Sequence, residues 1–231
     1  MIKDSEEAIL IETGRMAARL IHDFKNQLGG LKIYATYLQK RFADNAEGVE
    51  IAEKIKQGLN EMAEQTAILN QLARPLELRM EPGDPALIIE QVASRLQSRA
   101  SAKRAKITLD LDPDAPRISF DSRQIVAALE SIISRAVDAT TEDGEVEISL
   151  RRQDEALRVE IKDNGATLDD HQRLNFFDPL AGVRLNKVAL GLAMARRIIE
   201  KHGGRISARA NTSAGTIVEI MIADRGSRIA D

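Results

Sequence analysis

His22, Asp23 and Asn26, in the stretch His22-Asp23-Phe24-Lys25-Asn26, are residues whose types and spacing could carry a reaction. A neutral imidazole is a competent nucleophile near neutral pH, but it turns cationic as a bond forms unless a base takes its other proton. On a helix, Asn26 lies one turn beyond His22 on the same face, and Asp23 is the histidine's neighbour. A histidine on a helix surface is equally at home as a solvated side chain. The elements around the triplet have to decide between the two.

The stretch from about Ser5 to Leu38 reads as one long helix. Its residues Ile21, Phe24, Leu28, Leu31, Ala35, Leu38 and Phe42 recur in steps of three and four, the period of a helix burying a narrow seam against partners. His22 falls one residue past a seam position and should point outward, beside the seam. Gly14 and the pair Gly29-Gly30 interrupt the pattern, each at a cost of about 1 kcal/mol against alanine. The pair sits one turn past Asn26, where missing side chains let another backbone approach. Ala43 to Gly48 reads as a turn. A second helix then runs to about Ala73 with its seam at Ala52, Ile55, Leu59, Met62, Thr66, Leu69 and Ala73. Two matched seams with a short connection make an antiparallel hairpin. A lone hairpin leaves its seams half covered, so a homodimer forming a four-helix bundle is expected.

Pro75 and the run Pro82-Gly83-Asp84-Pro85 end the helical region. The expected organisation is a helical hairpin over 1–75, a linker over 76–84 and a second domain over 85–231. In that domain the patterning predicts helices over Ala86–Ala102, Asp121–Ala139, Asp169–Phe176 and Val188–His202, with Asp121 as an N-cap. Strands are expected at Lys106–Leu111, Arg117–Phe120, Glu145–Arg151, Leu157–Asp163, Arg205–Ala210 and Thr216–Ile222. Strands mixed with helices on one face make an α+β sandwich.

Composition excludes several classes. Acids and bases nearly balance at a net charge of −3, which gives no nucleic-acid-binding surface. The absence of cysteine removes disulfides, thiolate metal sites and a cysteine nucleophile. No apolar run is long enough to span a bilayer, and the amino terminus lacks a signal-peptide layout. A soluble cytoplasmic protein is expected.

Further motifs follow in order: Asp163-Asn164-Gly165, Phe176-Phe177-Asp178-Pro179-Leu180, Leu190-Gly191-Leu192-Ala193, His202-Gly203-Gly204-Arg205-Ile206 and Ser213-Ala214-Gly215-Thr216. With the His22 stretch, this ordered set resembles the catalytic core of two-component sensor histidine kinases. Such a core joins a dimerisation and histidine-phosphotransfer hairpin to an ATP-binding domain of the Bergerat type. The resemblance implies that His22 takes the γ-phosphoryl group of ATP, that Asp23 receives the ring proton, and that Asn26 supports transfer or positions water for dephosphorylation of a partner. It implies a response regulator receiver domain as partner. It also implies a nucleotide site at Asp163, which accepts from the adenine amine, with Gly165, Gly191, Leu192 and Thr216; backbone N–H groups at the Leu190-Gly191-Leu192 turn would face the phosphates.

The sequence departs from the family around the nucleotide. Arg135 stands where the family carries its Mg²⁺-binding asparagine, and a guanidinium offers five donors and no acceptor. No residue is therefore assigned as a metal ligand, and Arg135 is expected to contact phosphate or to fill the metal's place. Ser131 replaces another polar position of the same helix. Thr167 and Lys187-Val188-Ala189 stand where glycines are usual; if those glycines had positive φ, each replacement would strain the loop by about 1–2 kcal/mol. The lid, Ala181 to Val188, is short. Three functions compete: an ATP-dependent histidine kinase, a histidine phosphotransferase or pseudokinase with a degenerate ATP domain, and a regulator phosphatase. A chaperone-type ATPase of the same fold would need a glutamate base where Ser131 stands, and it leaves the His22 stretch unexplained.

Overall fold

A computed structural model describes residues 23–73, 76–179 and 187–223. His22, Ile21, Gly14, Leu180 and most of the lid lie outside the described residues, as do the side chains of Leu69 and Ala73. The described chain divides into two compact units, 23–73 and 76–223, except that residues 187–190 group with the first.

In the first unit, residues 23–41 form helix α1 and Ala46–Ala73 helix α2. The turn is shorter than Ala43–Gly48, because the Asn45 side chain accepts from the Gly48 backbone N–H at 3.0 Å and so starts α2 at Ala46. Leu28, Ala35 and Ala52 are buried, whereas Phe24, Leu31, Leu38, Phe42, Ile55 and Met62 are exposed. The heptad seam is thus divided, one half closing the hairpin and the other left open. Gln39 on α1 ties the helices together, donating to Glu53 at 2.8 Å and accepting from Lys56 at 3.0 Å.

The second unit is a two-layer α+β sandwich. Its elements are β1 (Glu81–Gly83), α3 (Pro85–Ala102), β2 (Lys106–Leu111), β3 (Ile118–Phe120), α4 (Ser122–Ala139), β4 (Glu145–Gln153), β5 (Ala156–Asp163), α5 (Asp170–Leu174), α6 (Lys187–Lys201), β6 (Arg205–Ala210) and β7 (Thr216–Ala223). The main sheet has five strands in the order β2-β4-β5-β7-β6, with only the β2–β4 pair parallel. The period-two pattern of β5 buries Leu157, Val159 and Ile161 against Ile132 and Ile133 of α4 and Ile198 and Ile199 of α6, in one apolar cluster. The alternate residues carry charge on the other face: Arg158 donates to Glu219 through Nε at 2.8 Å, and Lys162 to Glu147 at 3.0 Å.

The segment expected to be a linker contains structure. Glu81–Gly83 pairs antiparallel with β3, and Asp84 caps α3, accepting from the Ala86 N–H at 2.9 Å. Proline and glycine mask a strand in sequence, but proline is tolerated in a short two-stranded ribbon, where few ladder bonds are lost.

Helix α4 is held at both ends. At its start, Asp121 accepts from the Gln124 N–H at 3.0 Å and from the Arg79 N–H at 2.9 Å. Burial pushes this carboxyl up, but the Arg79 and Gln124 N–H groups, helped by His202, outweigh it and hold Asp121 below the ordinary carboxylate range. At the other end, the Lys103 ammonium donates to the carbonyls of Val137, Asp138 and Thr140 at 3.1, 2.7 and 2.7 Å, a cation placed at the negative pole of the helix. His202 is buried and structural: its Nε2 accepts from the Asp121 N–H at 3.0 Å, which leaves Nδ1–H to donate to the Ile198 carbonyl at 2.8 Å.

Because the Asp121 carboxyl is depressed in the fold, its contribution is present above its unfolded value and is lost as pH falls through its folded one. Asp121→Asn is expected to cost about 1–2 kcal/mol at neutral pH. Urea denaturation should show the gap from wild type closing below about pH 4; a gap unchanged at pH 3 would remove the carboxylate from this role.

Candidate functional site

The first candidate site lies on α1. Asp23 and Asn26 are exposed on the helix surface, as are Gly29, Ile33 and Tyr37 further along. The space above Gly29 and Gly30 is open, since a β-carbon built on either meets nothing within 4 Å. His22 itself is outside the described residues.

The second candidate site gathers at the end of β5. The strand's buried alternation runs Leu157, Val159, Ile161 and then Asp163, so the register that fills the core also turns a carboxylate inward. One of its oxygens, Oδ1, accepts from the backbone N–H of Gly165 at 3.0 Å and of Thr216 at 3.2 Å. Glycine is obligatory around it. A β-carbon on Gly165 would lie 2.1 Å from the Ala139 carbonyl oxygen, and Gly215, at φ +91°, passes so close that a β-carbon would lie 2.0 Å from the Asp163 carbonyl oxygen.

The other oxygen, Oδ2, is held by Arg135. This guanidinium, projecting from α4, forms a close ion pair with Asp163 and donates through its second terminal nitrogen to the Thr216 hydroxyl at 3.1 Å. Its central carbon lies 4.9 Å from the centroid of the Phe176 ring, within cation–π range. Phe176 meets the buried Phe177 edge-on, with ring centroids 5.0 Å apart. The Arg135 side chain is 15% exposed and that of Asp163 2%.

Other residues singled out in the sequence fall around this centre. Gly191 lies beside α4, a β-carbon there coming 3.2 Å from the Ser131 hydroxyl, while Leu192 is buried in the apolar cluster. Ser131 turns its hydroxyl onto its own helix, donating to the Ala127 carbonyl at 3.0 Å. Thr167 accepts from the Gly215 N–H at 3.4 Å and so steadies the turn behind Asp163. The strain considered for Thr167 and Ala189 is absent: among the described non-glycine residues only Arg104, Asp143 and Asp154 have positive φ. Ala189 lies inside α6, where helical dihedrals suit it. Phe176 and the Thr216 hydroxyl as partners of Arg135 were not foreseen; the signal was an arginine and an aromatic in motifs that flank the same carboxylate.

Both an adenine base and a metal ion would meet Arg135 here. The guanidinium offers a metal no acceptor. An adenine amine seeking Asp163 Oδ2 meets the guanidinium already bound there. Arg135, expected to reach phosphate or to fill the metal's place, sits on the carboxylate in this structure. The reason is electrostatic: a nearly dry carboxylate draws a cation within reach.

Residues 120–226 match the histidine kinase-, DNA gyrase B- and HSP90-like ATPase family. Over 226 residues the chain is 25% identical to the alginate biosynthesis sensor protein KinB of Pseudomonas aeruginosa, covering 93% of this chain and 38% of that protein. Its fold is similar to that of full-length ShkA crystallised with AMPPNP (TM-score 0.70, 22% identity, 90% of this chain and 45% of that one). It is also similar to the histidine kinase ThkA in complex with the response regulator protein TrrA (TM-score 0.70, 20% identity, 99% of this chain and 68% of that one). The chain thus spans well under half the length of KinB. Among the described residues, no helix is long and apolar enough to cross a membrane. The order of hairpin and sandwich, the family match over the sandwich and the relatives along nearly the whole chain agree in their likeness: this chain is similar to the catalytic core of two-component histidine kinases.

Proposed function

We propose that the chain carries a phosphoryl group on His22 and passes it to an aspartate of a response regulator receiver domain, working as a homodimer. The observation that supports this reading best is the divided seam of the hairpin. It leaves the flank bearing Asp23 and Asn26 in solvent, while the apolar residues Phe24, Leu31, Leu38, Phe42, Ile55 and Met62 are turned out beside it. A second hairpin is the occupant that suits them, since an identical seam presents the same spacing of apolar knobs. Together the two hairpins form the four-helix bundle that the first seventy-five residues were expected to make.

In the proposed chemistry the imidazole of His22 forms a P–N bond as the P–O bond to the donor breaks and the donor's oxygen keeps the electron pair. Asp23 takes the ring's other proton, so the phosphohistidine need not remain cationic. Transfer to the regulator reverses the sense: a receiver carboxylate attacks phosphorus and the imidazole leaves. Asn26, one turn away, supports transfer or holds a water that hydrolyses the regulator's acyl phosphate. The bare surface at Gly29 and Gly30, with Ile33 and Tyr37 exposed below it, offers the receiver a flat apolar approach.

The phosphoryl donor separates two readings. As a kinase, the chain takes the group from ATP bound at Asp163, Gly165, Gly191 and Thr216. As a phosphotransferase, it takes the group from one phosphorylated receiver and gives it to another; the ion pair between Arg135 and Asp163 favours this second reading.

With γ-labelled ATP, a kinase acquires acid-labile label that His22→Ala abolishes. A phosphotransferase acquires none from ATP but takes label from a phosphorylated receiver, again only with His22 present. Label that persists in His22→Ala under both regimes would contradict both readings. Leu31→Glu places a carboxylate in the proposed dimer seam and should weaken dimerisation by at least about 100-fold, read as a monomer by light scattering at micromolar concentration; an unchanged dimer would place the interface elsewhere.

A further inference from the structure

Regulation of the pocket at Asp163 is separate from the chemistry at His22, and it rests on the proposed function only for the identity of the ligand, an adenine nucleotide. Asp163 has two edges. Oδ1 is saturated by the fold itself, through the N–H groups of Gly165 and Thr216. Oδ2 is the edge left for a ligand's donor, and Arg135 occupies it. The guanidinium is planar and delocalised, and its central carbon lies 4.9 Å from the Phe176 ring centroid. It therefore has both properties by which a purine amine is held: an N–H edge for a carboxylate and a face for an aromatic ring. A third contact, to the Thr216 hydroxyl at 3.1 Å, fixes its orientation.

We infer that Arg135 is a built-in competitor for the base subsite: it takes the place of the nucleobase at Asp163, and an adenine nucleotide binds only by expelling it. The sequence alone pointed Arg135 toward the phosphates or the metal. Its position on Asp163 and beside Phe176 moves its effect to the base, and so makes the competition independent of phosphate and of Mg²⁺. A bare nucleoside should feel it as strongly as a triphosphate.

The alternative geometry, in which Arg135 serves as a clamp for phosphate, makes the opposite forecast. Removing a clamp weakens triphosphate binding and leaves nucleoside binding alone. Removing a competitor strengthens both.

The test is calorimetric titration of wild type, Arg135→Ala and Arg135→Asn with ATP and with adenosine, each in EDTA and in Mg²⁺, after thermal melts have established that each variant folds. Both variants are expected to gain at least about tenfold in affinity for ATP and for adenosine, with the same gain for the two ligands in EDTA. Equal affinity in wild type and variants, or weaker ATP binding in Arg135→Ala, would overturn the inference. If both variants fail to fold because Asp163 is left buried without its cation, the wild-type protein still decides. Its Arg135 side-chain nitrogen resonances should show hindered rotation without ligand and be released by saturating ATP; resonances already free without ligand would overturn the inference. None of these readouts involves His22. A gain in nucleotide binding without label on His22 would leave the competitor standing while the kinase reading falls, and label on His22 with no gain would do the reverse.

Discussion

Burying a carboxylate at the inner end of β5 obliges the surrounding chain to supply it with donors, and the pocket is arranged to meet that demand. Two backbone N–H groups answer on one edge, which requires glycines at 165 and 215 so that the chain can pass close by. A side-chain cation answers on the other. A desolvated ion pair of this kind adds little net stability, because dehydrating both ions nearly cancels their attraction. Separating it is another matter: removing one partner from a buried pair costs about 3–5 kcal/mol. The pair therefore restricts what else can bind more than it strengthens the fold.

The same logic distinguishes the proposed nucleotide site from the proposed reaction site. Chemistry at an imidazole needs an accessible nucleophile, and α1 leaves Asp23 and Asn26 in solvent. The proposed base site is instead a buried carboxylate, which the inward register of β5 sets between α4 and the start of β7. The helix that carries Arg135 is anchored at its start by Asp121 and at its end by Lys103, so the guanidinium is aimed from a fixed support. Arginine at 135 thus sets donors, and no acceptor, against the carboxylate.

Much of this was legible from residue order. Period-two alternation located β4 and β5, and apolar steps of three and four located both hairpin helices, because each element buries one face and the pattern records which. The N-cap at Asp121 was readable for the same local reason. The strand at Glu81–Gly83 was not, since its partner, β3, lies more than thirty residues away and its own residues are poor strand formers. Lys103 gave no sign of reaching the end of α4, because that contact exists only once α3 and α4 pack. The placement of Arg135 was half legible: its chemistry excluded a metal ligand from the outset, but its choice of Asp163 over a phosphate depends on burial, which a string of letters does not carry.

The most direct test of the central claim, that Arg135 and Asp163 form one buried unit, is a double-mutant cycle on stability with Arg135→Met and Asp163→Asn, measured by urea denaturation. An intact pair gives a coupling energy of about 2 kcal/mol or more, with the double variant more stable than the sum of the single losses implies. Losses that simply add, within about 0.5 kcal/mol, would mean that the two side chains act independently, and that the pocket is open to a base as the fold presents it.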